Sequence, residues 1–413
     1  MALVTRRIGL SLGADICWPI CYEALLKKLD LNLKMNGQTL AFECERVQIE
    51  PFDLRQGCDY DVVIDRLTHW YHLSREWIKK SILMDDLYVL NNPWSLQSME
   101  KQTSYCAMMR LGFPVPDTWL LPPKDYVESA DLKSTLSQYA KLFDLADIGD
   151  RVGYPLFMKP YDGGAWVGVT AIKDSEALQK AYDSSGTRVM HLQKGVPHDS
   201  FVRCIGLGPQ WNCVNYDPDA PLHDRYRMDT DFLPADQKQF LQDMTMVINA
   251  FFGWDFNSCE ALRDNGVWCP IDFANACPDS QVTSLHFHFP WLIKANLRWS
   301  IFCAATQRNM KTDLNWRAYF DIADSDRTFE EKFAEYTKLA RARFNVDEFE
   351  SFCDTHLGHL DDVASEFFGS DVVRDAIHKK VSSLFPQHEI EQFTELFYSR
   401  VQDWREYDRG LRA

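Results

Sequence analysis

Short apolar runs alternate with segments of helical spacing in the first part of the chain. The runs at 7–12, 62–65 and 87–90 have the length of buried strands. Between them, residues 19–29 and 74–83 repeat apolar side chains at the spacing of an amphipathic helix. Strands that alternate with helices are typical of parallel sheets, so this pattern predicts an α/β layer.

The pattern becomes helical between this layer and the middle of the chain. A helix is predicted at 95–111, where Gly112 ends it. The prolines of Phe113-Pro114-Val115-Pro116 impose an extended linker, and a further helix is predicted at 130–145.

A strand, a loop and a second strand are predicted from residue 154 to residue 172. The apolar run 154–158 ends at Lys159, and the loop that follows contains Gly163, Gly164 and Gly168. A lysine at the end of a buried strand can hold phosphate, and glycines let backbone N–H groups approach phosphate oxygens. The same pattern also fits an ordinary hairpin with a surface lysine.

A hairpin is predicted next to a long helix in the second half of the chain. The helix spans 236–252, and the turn Asp264-Asn265-Gly266 joins the apolar runs 258–262 and 267–273. Asn-Gly between apolar runs is a strong hairpin signal. From about residue 290 the spacing is helical to the end.

Acidic side chains occur within the apolar strands of this hairpin. Glu260 lies on one strand, Asp272 on the other, and Asn275 follows. A carboxylate in an apolar strand is costly unless it is paired or bound to a metal, and an oxygen-rich set suits Mg²⁺. The alternative is that both carboxylates lie on the polar face of the hairpin.

Composition narrows the function classes. The chain has 413 residues, of which 46% are hydrophobic and 25% charged, and its net charge is −16. Such an acidic chain does not suit general nucleic-acid binding, which needs a basic face. The twelve cysteines show no zinc-finger spacing, which favours a reducing, cytoplasmic location, and no apolar run is long enough to predict a membrane span.

In this order and spacing, the motifs resemble the ATP-grasp superfamily of carboxylate–amine ligases, in particular its glutathione-synthetase-like branch with the ribosomal-protein glutamate ligases. The resemblance covers about residues 87–280. It rests on Tyr88-Val89-Leu90-Asn91-Asn92-Pro93, on Gly112-Phe113-Pro114-Val115-Pro116-Asp117-Thr118, and on Tyr154-Pro155-Leu156-Phe157-Met158-Lys159-Pro160 with the glycines after it.

The resemblance implies ATP and Mg²⁺ as cofactors and assigns roles to residues of this sequence. Nucleotide-binding positions would be Lys101, Lys159, Gly163, Gly164, Gln193, Lys194, Gly195 and Asp199. Glu260, Asp272 and Asn275 would be metal ligands, while Arg203 and Arg227 would face phosphate or the substrate carboxylate, as arginine forks can. The alternative for each arginine is a surface ion pair.

This sequence departs from the family pattern at two positions. The family usually has an acidic residue where Gln193 stands, and we expect the Gln193 carbonyl to accept from the adenine amino group. Asp272 precedes Asn275 by three residues instead of two, so Phe273 occupies the expected acidic position. A bulge would bring Asp272 into line; otherwise Asp279 serves or one metal is lost.

Two histidines alternate after the hairpin. His286 and His288 are expected on one face of an extended segment. They fit a structural role better than contact with substrate.

The implied architecture has three parts. We expect an N-terminal α/β pre-grasp domain at 1–112, an ATP-grasp domain at 113–300 with a lid at about 120–200, and a C-terminal helical region at 301–413. The implied activity joins a small-molecule or peptide carboxylate to an amine through an acyl phosphate. The C-terminal helices are a candidate surface for self-association or for a protein substrate. Two alternatives remain: a nucleotide-binding interaction module without turnover, and an ATP-grasp phosphotransferase.

Overall fold

The computed structural model describes residues 2–95, 100–162, 167–275 and 277–412. Its contacts divide the chain into two compact units. The first unit comprises Met1–Leu96, Val202–Cys259 and Ala276–Ala413, and the second comprises Gln97–Phe201 and Glu260–Asn275. The predicted domain boundaries at residues 112 and 300 stay a prediction.

The described elements follow one another in mixed α/β order. The strands are β1 (Ala2–Ser11), β2 (Asn32–Met35), β3 (Gln38–Arg46), β4 (Val62–Asp65), β5 (Tyr88–Leu90), β6 (Thr118–Leu121), β7 (Leu156–Pro160), β8 (Thr170–Ile172), β9 (Met190–Lys194), β10 (Ser200–Leu207), β11 (Gln210–Asn215), β12 (Phe256–Asp264) and β13 (Val267–Asp272). The helices are α1 (Cys17–Leu29), α2 (His72–Asp85), α3 (Lys101–Leu111), α4 (Leu132–Tyr139), α5 (Leu145–Val152), α6 (Ser175–Asp183), α7 (Ala235–Phe252), α8 (Val282–Leu285), α9 (Phe289–Ala305), α10 (Trp316–Ala323), α11 (Phe329–Phe344), α12 (Val346–His356), α13 (Leu360–Phe367), α14 (Asp371–Ser382) and α15 (Ile390–Arg412).

The first unit begins with a sheet in the order β2-β3-β1-β4-β5. Strand β1 is parallel to β3 and β4, and β4 is parallel to β5. This confirms the predicted parallel α/β layer. The antiparallel hairpin of β2 and β3 was not predicted, although its turn, Asn36-Gly37, has the positive φ angles that Asn and Gly tolerate best.

A buried polar network in the first unit involves residues from beyond position 300. Asp255 accepts hydrogen bonds from the Tyr88 hydroxyl and from Nε1 of Trp299 at 2.9 Å. Arg308 donates to the Tyr88 oxygen at 3.0 Å, and the ring of Phe344 packs edge-on against Trp299. The helices after residue 300 therefore help to complete the core of this unit.

The second unit contains an antiparallel sheet in the order β6-β9-β7-β8. Its strands alternate between an apolar and a polar face, as the two-residue period of a strand requires. Leu156 and Met158 of β7 belong to one buried cluster with Leu178 of α6. The polar face carries Thr118 of β6, Lys159 of β7, and His191 and Gln193 of β9.

Three local predictions differ from the structure. The helix predicted at 130–145 is two helices, α4 and α5, because Asp144 caps α5 by accepting from the N–H groups of Ala146 and Asp147. Ser74 lies inside α2, which begins at His72, instead of capping it. His286 and His288 form a buried 3₁₀ turn instead of an extended segment, which agrees with a structural role. Within the described part of the chain, no helix combines the length and the apolar character that a membrane span requires.

Candidate functional site

The candidate site in the second unit is formed around Lys159 on the polar face of the sheet. The Lys159 side chain is buried, and its ammonium donates to Oε1 of Gln193 and to the hydroxyl of Tyr105, each at 2.8 Å. Gln193 in turn donates from Nε2 to Oγ1 of Thr118 at 2.8 Å. These partners lie on β7, β9, β6 and α3, so four elements fix the position of the lysine amine.

Helix α3 supplies a second buried lysine. Lys101, Tyr105 and Met108 share the buried face of this helix because their spacings of four and three residues match its turn. Nζ of Lys101 lies 3.1 and 3.0 Å from the two carboxylate oxygens of Asp272. The lysine is therefore held by an acid that is 171 residues away in the sequence.

The hairpin of β12 and β13 brings the two predicted acids together. Glu260 is paired with Asp272, whereas the next pair is Ala261 with Pro270, so the register shifts at this point. Ile271 is the extra residue of β13, and this irregularity confirms the bulge expected from the sequence. Asp272 takes the place opposite Glu260, while Phe273 is buried against the ring of Tyr105.

Burial and neighbouring charges shift several pKa values in this cluster. Burial lowers the pKa of Lys159 to about 8; the carboxylate of Asp272 opposes this shift and the charge of Lys101 adds to it. Burial also lowers the pKa of His191 to about 3 and raises that of the Tyr105 phenol well above its ordinary value. At neutral pH, Lys159 is therefore mainly an ammonium, His191 is neutral and Tyr105 keeps its proton.

The donor set of the hairpin suits a hard cation that keeps other ligands. Glu260 and Asp272 offer carboxylate oxygens on paired residues, and the half-buried Asn275 follows β13. Over the ranges that the structure describes, no group of three or more His, Cys, Asp or Glu side chains is arranged to hold a metal. Mg²⁺ is commonly bound by one or two carboxylates together with water and substrate phosphates, so the residues fit this ion.

The segment expected to hold adenine lies at the end of β9 and beyond. The Gln193 carbonyl accepts a hydrogen bond from Lys159 at 2.8 Å, and its contact with the adenine amino group stays a prediction. Lys194 is exposed, and its N–H donates to the carbonyl of Asp117 at 2.9 Å. The N–H of Gly195 donates to the carbonyl of Pro155, and a β-carbon at Gly195 would lie 2.8 Å from that oxygen. Close backbone approach thus explains the glycine.

The remaining positions that the sequence predicts to bind nucleotide lie partly within the described residues. The exposed carboxylate of Asp199 accepts from Nε of Arg263 at 2.8 Å. Gly163 and Gly164 lie outside the described residues. Gly168, at the end of the same loop, has φ of +76°, and a β-carbon there would lie 3.0 Å from the Pro160 ring. Only glycine therefore fits this position without strain.

The two predicted arginines belong to the first unit. Arg203 lies with its guanidinium 4.3 Å from the ring centroid of Tyr216 and donates to the hydroxyl of Tyr226. Arg227 is exposed and forms an ion pair with Asp217. Its carbonyl oxygen lies 2.8 Å from Nε2 of His288. Roles for both arginines in binding phosphate or carboxylate stay predictions.

Sequence reasoning missed Tyr105 and treated Thr118 only as part of a linker motif. Tyr105 follows Lys101 by four residues, and this spacing places both on one helix face. That spacing was a usable signal. Neither the Lys159 contact of the tyrosine nor the link between Thr118 and Gln193 follows from spacing within one element.

No protein-family model matches the sequence. Among solved structures, the chain is similar to D-alanine–D-alanine ligase from Bacillus anthracis complexed with ATP, at 15% identity and a TM-score of 0.45, over 73% of this chain and 99% of that chain. It is similar to the VanG D-Ala:D-Ser ligase from Enterococcus faecalis at 12% identity and a TM-score of 0.47, over 82% of this chain and 100% of that one. It is also similar to a RimK domain ATP-grasp protein from Sphaerobacter thermophilus at 12% identity and a TM-score of 0.41, over 66% of this chain and 92% of that chain. At these identities and TM-scores, the likenesses transfer no role to any residue of this chain.

Proposed function

We propose that the second unit binds ATP with Mg²⁺ and that the chain is an ATP-dependent carboxylate–amine ligase. The observation that carries this proposal is the cluster of buried Lys101, Lys159 and Glu260 with half-buried Asp272, which places two amines beside two acids. Burying such groups is expensive for a fold that does not use them. The order of motifs in the sequence, which resembles the ATP-grasp superfamily, supports the same reaction.

The two lysines hold the phosphates. Hydrogen bonds position both ammonium groups. Lys159 donates to Tyr105 and Gln193, and Lys101 donates to Asp272. Fixed cations neutralise the charge of phosphate oxygens without reorganisation during the reaction. Because Lys159 has a lowered pKa, its charge and therefore its hold on phosphate weaken as the pH rises above about 8.

The hairpin acids are the proposed ligands of the metal ion. Glu260, Asp272 and Asn275 would bind Mg²⁺, and this ion would neutralise charge on the phosphate oxygens. Asp272 accepts from Lys101 and would also be a metal ligand, so a phosphate that accepts from Lys101 would free the carboxylate for Mg²⁺. Nucleotide and Mg²⁺ therefore bind as a pair.

The proposed reaction has two steps. An oxygen of the substrate carboxylate attacks the γ-phosphorus, the bond to the β-γ bridging oxygen breaks, and an acyl phosphate and ADP form. The amine then attacks the acyl carbon, phosphate leaves, and the nitrogen loses a proton. The contribution of this chain would be positioning and charge neutralisation by its lysines and hairpin acids.

A second candidate function is nucleotide binding without turnover. The observation that favours it is the occupation of both Asp272 oxygens by Lys101 together with Phe273 at the position where the family has an acid. A phosphotransferase would use the same phosphate site and differ only in the acceptor.

Thermal unfolding with ATP, ADP or AMP, with and without Mg²⁺, tests the proposal. Ligands that bind only the native state raise the unfolding temperature. The ligase predicts a shift with ATP that grows with Mg²⁺ and is small with AMP, followed by phosphate release when a carboxylate and an amine are both present. Phosphate transfer to a hydroxyl would indicate the phosphotransferase, and a shift without turnover would indicate the binding module. A folded chain that no nucleotide stabilises would contradict the proposal.

A further inference from the structure

A single buried hydroxyl joins the lysine strand to the metal hairpin within the second unit. The Tyr105 hydroxyl donates to the carbonyl oxygen of Ile271 at 2.6 Å and accepts from Nζ of Lys159 at 2.8 Å. A phenol has one proton and free lone pairs, so it can make both bonds at once. Ile271 is the extra residue of the β13 bulge, directly before Asp272.

The ring of Tyr105 is held on two sides. Phe273 packs edge-on with a centroid distance of 5.4 Å, and His191 lies tilted at 5.5 Å. The side chain is 2% exposed, and α3 fixes its backbone. A phenol side chain has only two torsions, and with these two ring contacts the position of the hydroxyl is restricted.

We propose that Tyr105 is a positioning residue that sets the Lys159 ammonium against the β13 bulge and so fixes the lysine relative to Asp272. The effect of this positioning on nucleotide binding rests on the proposed function, in which Lys159 binds phosphate and Asp272 binds the metal ion. The bulge brings Asp272 opposite Glu260, and the Tyr105 hydroxyl donates to the carbonyl of Ile271, the extra residue of the bulge.

Tyr105→Phe removes one oxygen and keeps the ring, so it tests this role with little change in packing. The titratable groups facing Lys159 are Tyr105 and Lys101 on α3, His191 on β9, and Glu260 and Asp272 on the hairpin. Without the phenol oxygen, the ammonium loses an acceptor while its burial remains. We expect the titration midpoint of Lys159, about 8 in the unchanged chain, to fall by about 1 in pH.

The midpoint is measured on the free full-length chain by NMR of ¹³Cε-labelled lysine, assigned with Lys159→Arg. The matched control is Tyr182→Phe, because Tyr182 is a buried tyrosine of the same unit whose hydroxyl donates to the Pro122 carbonyl at 3.1 Å. That variant loses a comparable bond away from Lys159 and should leave the midpoint unchanged.

ADP affinity by calorimetry at pH 7 supplies the second reading. Tyr105→Phe should weaken binding about tenfold, as loss of one charge-assisted hydrogen bond does, and should weaken it no further in a Lys159→Met background. If Tyr105→Phe does not fold, the ¹³Cζ signal of Tyr105 in the unchanged chain must report the Lys159 titration with the same midpoint.

The outcomes separate the two ideas. The positioning role would be overturned if Tyr105→Phe changed neither the Lys159 midpoint nor the ADP affinity. It would also be overturned if the ¹³Cζ signal of Tyr105 did not change as Lys159 titrates. A shifted midpoint in a chain that binds neither ADP nor ATP would leave the positioning role in place and reject the proposed function.

Discussion

Replacing Lys101 by Met should lower the free energy of unfolding of the second unit. The lysine is buried, and its ammonium lies 3.0 Å from an Asp272 carboxylate whose side chain is 25% exposed. Removing one partner of a fully buried pair costs about 3–5 kcal/mol, because the other charge stays buried and unpaired. Water reaches part of Asp272, so we expect a smaller loss, about 2–3 kcal/mol.

A double-mutant cycle isolates the pair itself. Asp272→Asn alone leaves Lys101 unpaired, whereas the double variant K101M/D272N buries neither charge. The double variant should therefore lose about 1–3 kcal/mol less free energy of unfolding than the two single variants lose in sum.

Hydrogen exchange of α3, β7 and β13 amides in the full-length chain is the suitable assay, because a chain of two compact units need not unfold in one transition. Lys180→Met, on α6 of the same unit, is the matched control. Single losses that add fully in the double variant, or a K101M chain as protected as the unchanged one, would refute the reasoning.

Three further predictions concern the metal, pH and the C-terminal helices. Asp272→Asn should raise the Mg²⁺ concentration needed for ATP binding about tenfold, measured by calorimetry at several Mg²⁺ concentrations; an unchanged requirement would remove Asp272 from the metal site. In the unfolded chain Lys159 keeps its ordinary pKa of 10.5, so between pH 8 and 10.5 that state binds more protons and stability should rise with pH. Lys159→Met should lack this rise in urea unfolding followed across pH, and an equal rise in both chains would count against it. Deletion of 301–413 should leave an aggregated or unfolded chain because it removes Arg308 and Phe344 from the first unit's core; a folded truncation by circular dichroism would make the helices an independent module.

The strands and the hairpin could be predicted because their signals are local. The apolar run that ends at Lys159 and the Asn-Gly turn at 265–266 each specify an element within a few residues. The bulge before Asp272 was one of the alternatives raised by the spacing conflict with the family pattern, and the register shift bears it out.

The contacts within the site could not be predicted in the same way. Periodicity indicates that Tyr105 is buried, but it does not say that the hydroxyl meets Lys159 from a distant strand. The hydrogen bond from the Lys159 ammonium to the Gln193 carbonyl was missed for the same reason, since it joins two strands that are distant in the sequence. Side-chain contacts between elements depend on how the elements pack, and the local pattern of hydrophobic and polar residues does not reveal that packing.

Calorimetry of ATP binding in the presence of Mg²⁺, on the unchanged chain, Lys159→Met and Lys180→Met, tests the central claim most directly. Lys159 lies buried among the site's hydrogen bonds, while Lys180 lies on α6 away from them. We predict that the unchanged chain and Lys180→Met bind ATP alike and that Lys159→Met binds it at least tenfold more weakly. Equal affinity in all three chains, or no binding by a folded unchanged chain, would contradict the assignment of this cluster to the phosphates of ATP.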